Sequence, residues 1–205
     1  MTFLYPHNKT QNGTTMNILI KLFSLTALLL PGLAFAHPGH DTSSVLAGVA
    51  HPITGLDHLL AMLAVGLWAA QQHGAARWTL PLTFVATMLL GGLLGFCNVK
   101  LPLMESGIAA SILALGLLVA VAARPPLWLA GSLTALFAIS HGVAHGLELP
   151  ELASPWGYAL GFVSATAVLH AFGYALVRSL PQVAAPLVRL TGAASAAAGA
   201  WLLLN

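Results

Sequence analysis

Residues 51–62 read His51-Pro52-Ile53-Thr54-Gly55-Leu56-Asp57-His58-Leu59-Leu60-Ala61-Met62, with two imidazoles and a carboxylate inside a run otherwise apolar enough to cross a bilayer. On a continuous helix His51 and His58 fall about 20° apart and Asp57 about 120° from His51, while Thr54, Gly55 and Met62 share the His51 face. An ionised Asp at mid-membrane costs roughly 2.5–3.5 kcal/mol, so Asp57 is expected to face the protein interior and to have a partner. Pro52 lacks an amide donor and frees the carbonyl of Gly48 if the helix already runs there. Irregular backbone at membrane depth is tolerated where it is buried in protein or lines a cavity. The plainer reading is a pair of histidines satisfied between packed helices.

Working outward, the whole chain fits a membrane setting. Of its 205 residues 58% are hydrophobic and 6% charged, and the mean hydropathy is +0.88, whereas soluble domains carry about 25% charged residues. The seven Lys and Arg are scattered singly, without the basic patch and aromatic interleaving that nucleic-acid binding requires, so no nucleic-acid partner is expected. Cys97 is the single cysteine, which excludes an intrachain disulfide or a thiolate cage. Nine histidines outnumber five carboxylates, and imidazole is the chemistry available.

Ahead of the quoted stretch, Lys21, the apolar run 22–30, the Pro31-Gly32 break and Ala34-Phe35-Ala36 make a secretory signal peptide. Its apolar core is too short to span, although an uncleaved anchor is the alternative, and Met16 is the expected true start. The expected organisation is therefore a leader over 1–36, a His-rich tail over 37–44 and a membrane domain over 45–205. Cleavage after Ala36 leaves His37, His40 and Asp41 beside a free amine on the exported side, either a loose metal chelator or a simple lead-in.

Behind the tail come six runs close to the roughly 20 residues that cross the hydrocarbon: 45–70, 78–96, 103–123, 127–147, 156–177 and 186–204. The fold class expected is an all-α integral membrane protein, with six transmembrane helices after a cleaved signal peptide and both mature termini periplasmic. Arg77, Arg124, Arg178 and Arg189 then lie on the cytoplasmic side with only Lys100 opposite, as the positive-inside rule requires. Trp78, Trp128, Trp156 and Trp201 sit near span ends as interfacial anchors. Spacings such as Gly91 to Gly95, Gly142 to Gly146 and Gly157 to Gly161 permit close helix approach.

The fourth run ends in Ser140-His141-Gly142-Val143-Ala144-His145-Gly146-Leu147-Glu148. His141, His145 and Glu148 at i, i+4 and i+7 share an arc of about 60°. Two imidazoles one turn apart can grip one cation, and a carboxylate one turn further serves as an oxygen ligand or as an acceptor that orients an imidazole. The topology brings this arc to the same side as His51, the tail and Glu105 at the start of the third run. His170, mid-way along the fifth run, is either a relay further along a path or a hydrogen-bonded core histidine.

With His51, five residues, then Asp57-His58, and an HGxxHGxE run carrying His141, His145 and Glu148, the mature chain resembles the HupE/UreJ family of membrane nickel permeases. The likeness includes GLWA at 66–69 and departs at Ser140, where the family often has Phe. It implies transport of Ni2+, with Co2+ as the alternative, across a bacterial inner membrane to supply nickel enzymes such as hydrogenase or urease. The ion is then a transported substrate, and no permanently bound cofactor is expected.

Residues and resemblance together point to a divalent-cation path with His51, Asp57, His58, His141, His145 and Glu148 as ligands, and His37, His40, Asp41, Glu105 and His170 as accessories. Imidazole suits Ni, Co, Zn and Cu alike, so the choice of nickel rests on the family. The competing class is an intramembrane zinc-dependent hydrolase, although no HExxH motif is present. A phosphate-binding loop is absent as well, so energy would come from an ion gradient or a partner. Processing at Ala36 carries a direct check: the membrane-extracted protein should have an intact mass beginning at His37, and a chain still starting at Met1 or Met16 refutes the leader.

Overall fold

In a computed structural model of the protein the described residues are 44–150 and 153–205. The expected leader and the His37, His40 and Asp41 tail lie outside them. All regular structure among the described residues is helical: α1 (Ser44–Thr54), α2 (Leu56–Gln71), α3 (Ala76–Phe96), α4 (Met104–Ala120), α5 (Leu127–Leu147), α6 (Pro155–Ser179), a 3-10 turn (Gln182–Ala184) and α7 (Ala185–Leu204). Among the described residues four helices are long and apolar enough to cross a membrane, and the bent pair α1–α2 makes a fifth candidate. The chain is a multi-pass membrane protein. The run expected over 103–123 gives an apolar helix of only 17 residues, because the chain turns at Ala122 with φ 51°.

The first run departs most from its expected form. Instead of one helix over 45–70, two helices meet at Gly55 at 81°. Pro52 stands inside α1 without breaking it, and the break follows three residues later. There the Thr54 hydroxyl donates to the carbonyls of Ala50 and His51, and Gly55 adopts an extended conformation at φ −79°, ψ 112°. The single helical stripe of His51, Thr54, Gly55, His58 and Met62 therefore does not exist. His51 and His58 lie on two helices, and Thr54 is exposed.

Beyond the break, α2 is buried all round over 61–70, as a helix at the centre of a bundle must be. Around it α3 packs along α5, α4 along α7, and α6 along both α1 and α2. Glycine makes these approaches possible. A Cβ on Gly91 would lie 2.5 Å from the Ile139 carbonyl oxygen, and one on Gly142 only 2.1 Å from that of Met88. Gly66 meets the His170 carbonyl in the same way at 2.3 Å. Outward-facing Leu82, Leu90, Leu136, Val168 and Leu190 are exposed and form an apolar coat suited to lipid. Trp78, Trp128, Trp156 and Trp201 are exposed too, whereas Trp68 is fully buried.

At one end of the bundle the helix C-termini are closed by side chains. Arg124 donates to the Gln71 carbonyl, Arg189 to that of Ala120, and the Trp68 indole and Gln72 amide to that of Ala123. Donors and cations here satisfy the last-turn carbonyls and the negative helix ends. His141 and His145 occupy the other end of α5, in its last two turns.

The glycine contacts set an expected outcome. Gly142→Leu should force α3 and α5 apart and destabilise by at least about 1–3 kcal/mol, read as an earlier thermal transition in detergent. Gly131, with nothing within 4 Å of its would-be Cβ, should accept Ala with no loss. Equal effects at the two positions would show that helix contact is not what Gly142 provides.

Candidate metal centre

Four imidazoles meet where the α1–α2 break faces the last two turns of α5. His58 lies 4.5 Å from His145 and 4.9 Å from His141 between ring centroids, and His51 lies 4.8 Å from His145 and 5.7 Å from His58. One ring nitrogen from each of His51, His58 and His145 falls within 4.8 Å of the others. Backbone contact between α2 and α5 is slight, since α5 lies along α3. The rings themselves span the gap.

Each ring is set by a different neighbour. Asp57 Oδ1 accepts from the His58 backbone N–H at 2.8 Å and pairs with His58 Nδ1 at 2.9 Å. A carboxylate can only accept, so Nδ1 carries the proton and the lone pair of buried Nε2 is left without a partner. Glu148 Oε2 pairs with His51 Nε2 at 2.9 Å. That bond holds the Glu148 carboxyl below the usual carboxylate range, against the opposing effect of burial.

His141 takes its orientation from α4. The Ser111 hydroxyl lies 2.6 Å from the Ile108 carbonyl and 2.8 Å from His141 Nε2. Its one proton goes to the carbonyl, so the hydroxyl accepts from Nε2–H and leaves His141 Nδ1 unprotonated. That nitrogen is buried without a partner. His145 stacks flat on Phe162, 4.9 Å away at 9°, and neither of its nitrogens has a partner among the described residues. Such orphaned buried groups are uncommon and call for an explanation, a bound water or ion among them.

Exposure falls along the cluster. The side chains of His51, Asp57 and Glu148 keep 28%, 30% and 47% of their surface, while His58 keeps 6% and His141 and His145 keep none. The site is thus open at His51 and closed at His141. With imidazole bonds of about 2.1 Å, two nitrogens on one metal stand about 4.2 Å apart when opposed and about 3.0–3.5 Å apart otherwise, so the trio, spread over up to 4.8 Å, must draw in by at least about half an ångström.

Other expected residues lie elsewhere. Glu105 is exposed in the first turn of α4 and is not among the groups that meet at the cluster. His170 is buried on α6, its ring 5.2 Å from Phe84, outside the cluster. Met62 is buried and its sulfur accepts from the Thr166 hydroxyl at 3.0 Å. Ser111, Phe162 and Tyr158, whose ring is 6.0 Å from His51, were not among the expected site residues. Their signal was slight: a serine in an apolar run, and two aromatics four residues apart.

A search of solved structures finds no match to this fold. Protein HupE of Rhizobium leguminosarum bv. viciae is 43% identical over 183 residues, covering 89% of this chain and 96% of that protein. The family model described as HupE / UreJ protein matches residues 25–202, which takes in every helix described above except the last two residues of α7, and the chain therefore belongs to the HupE/UreJ family.

Proposed function

We propose that the protein is a permease for Ni2+, with Co2+ as the alternative ion, and that the cation enters at His51 and is held by His51, His58 and His145 with His141 beneath them. The observation that carries this reading is the cluster itself, with lone pairs of buried imidazoles turned free by Asp57 and Ser111. Neutral imidazole is the form that binds borderline divalent ions. Asp57 and Glu148 act as acceptors that fix ring orientation and offset the charge of the arriving ion.

The family supports nickel where the ligand set cannot choose among Ni, Co, Zn and Cu. It lends no support to a zinc-dependent hydrolase. In the proposed topology six spans cross a bacterial inner membrane, with α1–α2 as the first and α4 as a short third, and the mature termini and the cluster on the periplasmic side. The arginine-capped end then faces the cytoplasm, in accord with the positive-inside rule. The His37, His40 and Asp41 tail would serve as a loose capture site ahead of the cluster, and hydrogenase or urease would be the consumers.

Proteoliposomes test the reading. The parent protein should admit Ni2+ above empty liposomes, His58→Ala and His145→Ala should abolish uptake, and Asp57→Ala should lower it about 10- to 100-fold by freeing the His58 ring. Failure of the parent to admit Ni2+, Co2+ or any other divalent ion under every imposed ion gradient would refute the permease.

A further inference from the structure

Below the four-histidine cluster, α6 presents one side chain per turn into the bundle: Tyr158, Phe162, Thr166 and His170, all buried. Phe162 stacks under His145, and His170 lies eight residues further on, about 12 Å deeper along the helix. The α3 side of the same line carries Met88 and Phe84, both fully buried. Phe84 stands between two imidazoles, its ring centroid 5.7 Å from His141 and 5.2 Å from His170. One turn above His170, the Thr166 hydroxyl reaches the Met62 sulfur at 3.0 Å and that of Met88 at 3.9 Å.

His170 is 3% exposed, and neither ring nitrogen has a hydrogen-bond partner among the described residues. A core histidine kept for packing would be expected to donate its N–H to a carbonyl or hydroxyl, because an unmet buried polar group costs about 1–3 kcal/mol. A phenylalanine would fill the same space without that cost. A lone pair is available on this ring whichever tautomer it holds.

We propose that His170 is a second, inner station for the same divalent cation, reached from His141 past the ring of Phe84, with the thioethers of Met62 and Met88 lining the approach. This deepens the permease reading and rests on it for the identity of the ion. Imidazole and thioether are neutral, borderline-to-soft donors that favour late first-row ions over Mg2+ or Ca2+. Among the described residues the inner station has no carboxylate in contact, whereas the outer cluster has two. Conduction through successive sites requires binding firm enough to enter and weak enough to leave, and a neutral inner station following a carboxylate-supported outer one meets that condition. Phe84, apolar and fully buried, closes the line between the stations to water, while its ring face can still attract a cation.

Two measurements on the full-length protein, with Ni2+ alone as the probe, test this. The variants are His170→Phe, which keeps the ring volume without a donor, and His170→Gln, and either one that inserts and is extracted suffices. Equilibrium dialysis should show one fewer Ni2+ bound per chain at saturation, with the tighter outer ion retained. In proteoliposomes the maximal uptake rate should fall about tenfold or more while half-saturating Ni2+ shifts less than about twofold. An unchanged number of bound ions, or parental flux, overturns the inner station. One ion lost from a protein whose parent form conducts no metal would overturn the permease reading and leave the His170 site standing.

Discussion

A buried imidazole nitrogen with nothing to bond is costly anywhere, and inside a bundle surrounded by lipid few other groups can relieve it. This protein leaves such nitrogens on His58, His141, His145 and His170. In three of the four rings the neighbours do more than fail to satisfy the nitrogen. Asp57 takes the proton side of His58, Ser111 takes that of His141, and Phe162 covers the flat face of His145 with carbon. The arrangement leaves lone pairs of buried imidazoles without partners among the described residues, which is the observation the permease proposal builds on.

Holding that arrangement requires rigid surroundings, because the imidazoles reach across helices whose backbones barely meet. Rigidity comes from contacts that contain no functional group at all. Gly91 and Gly95 lie against Gly142 and Gly146 with carbonyl oxygens in the space where Cβ atoms would be, so α3 fixes α5 at the level of its two histidines. Gly48 and Gly161 do the same between α1 and α6, and Gly66 and Gly173 between α2 and α6. In lipid, where apolar side chains gain little by meeting one another, such close approach is the main source of helix association. The alternation of Gly and His in the last turns of α5 thus joins the packing surface to the site.

Much of this was legible in the residues. Composition placed the chain in a membrane, and the two motifs carried both the chemistry and the family. Helical periodicity failed at Gly55, because a count of 100° per residue assumes that the helix continues. Pro52 marked a weakened ladder, but the place where it gave way depended on Thr54 turning its hydroxyl back onto Ala50 and His51. Glu105 was grouped with the cluster from topology alone, which fixes which end of the bundle a residue occupies and not which face it presents. Ser111 and Phe84 carry no sequence signature of their roles, since each acts through a ring contributed by a helix far away in the chain.

The break at Gly55 is also what makes an opening at the cluster possible. Had 45–70 been one straight helix, His51 and His58 would have stood two turns apart, about 10 Å along its axis, too far to share one ion. Bending by 81° folds that distance to 5.7 Å between rings and leaves α1 against α6 while α2 enters the core. A Cβ on Gly55 would come within 3.0 Å of Asp57 Oδ1 and 3.4 Å of His58 Nδ1, so the residue that permits the turn also leaves room for the pair that orients the His58 ring. Its backbone angles are open to any residue; what a side chain here would meet is the Asp57–His58 pair, which would have to give by a few tenths of an ångström.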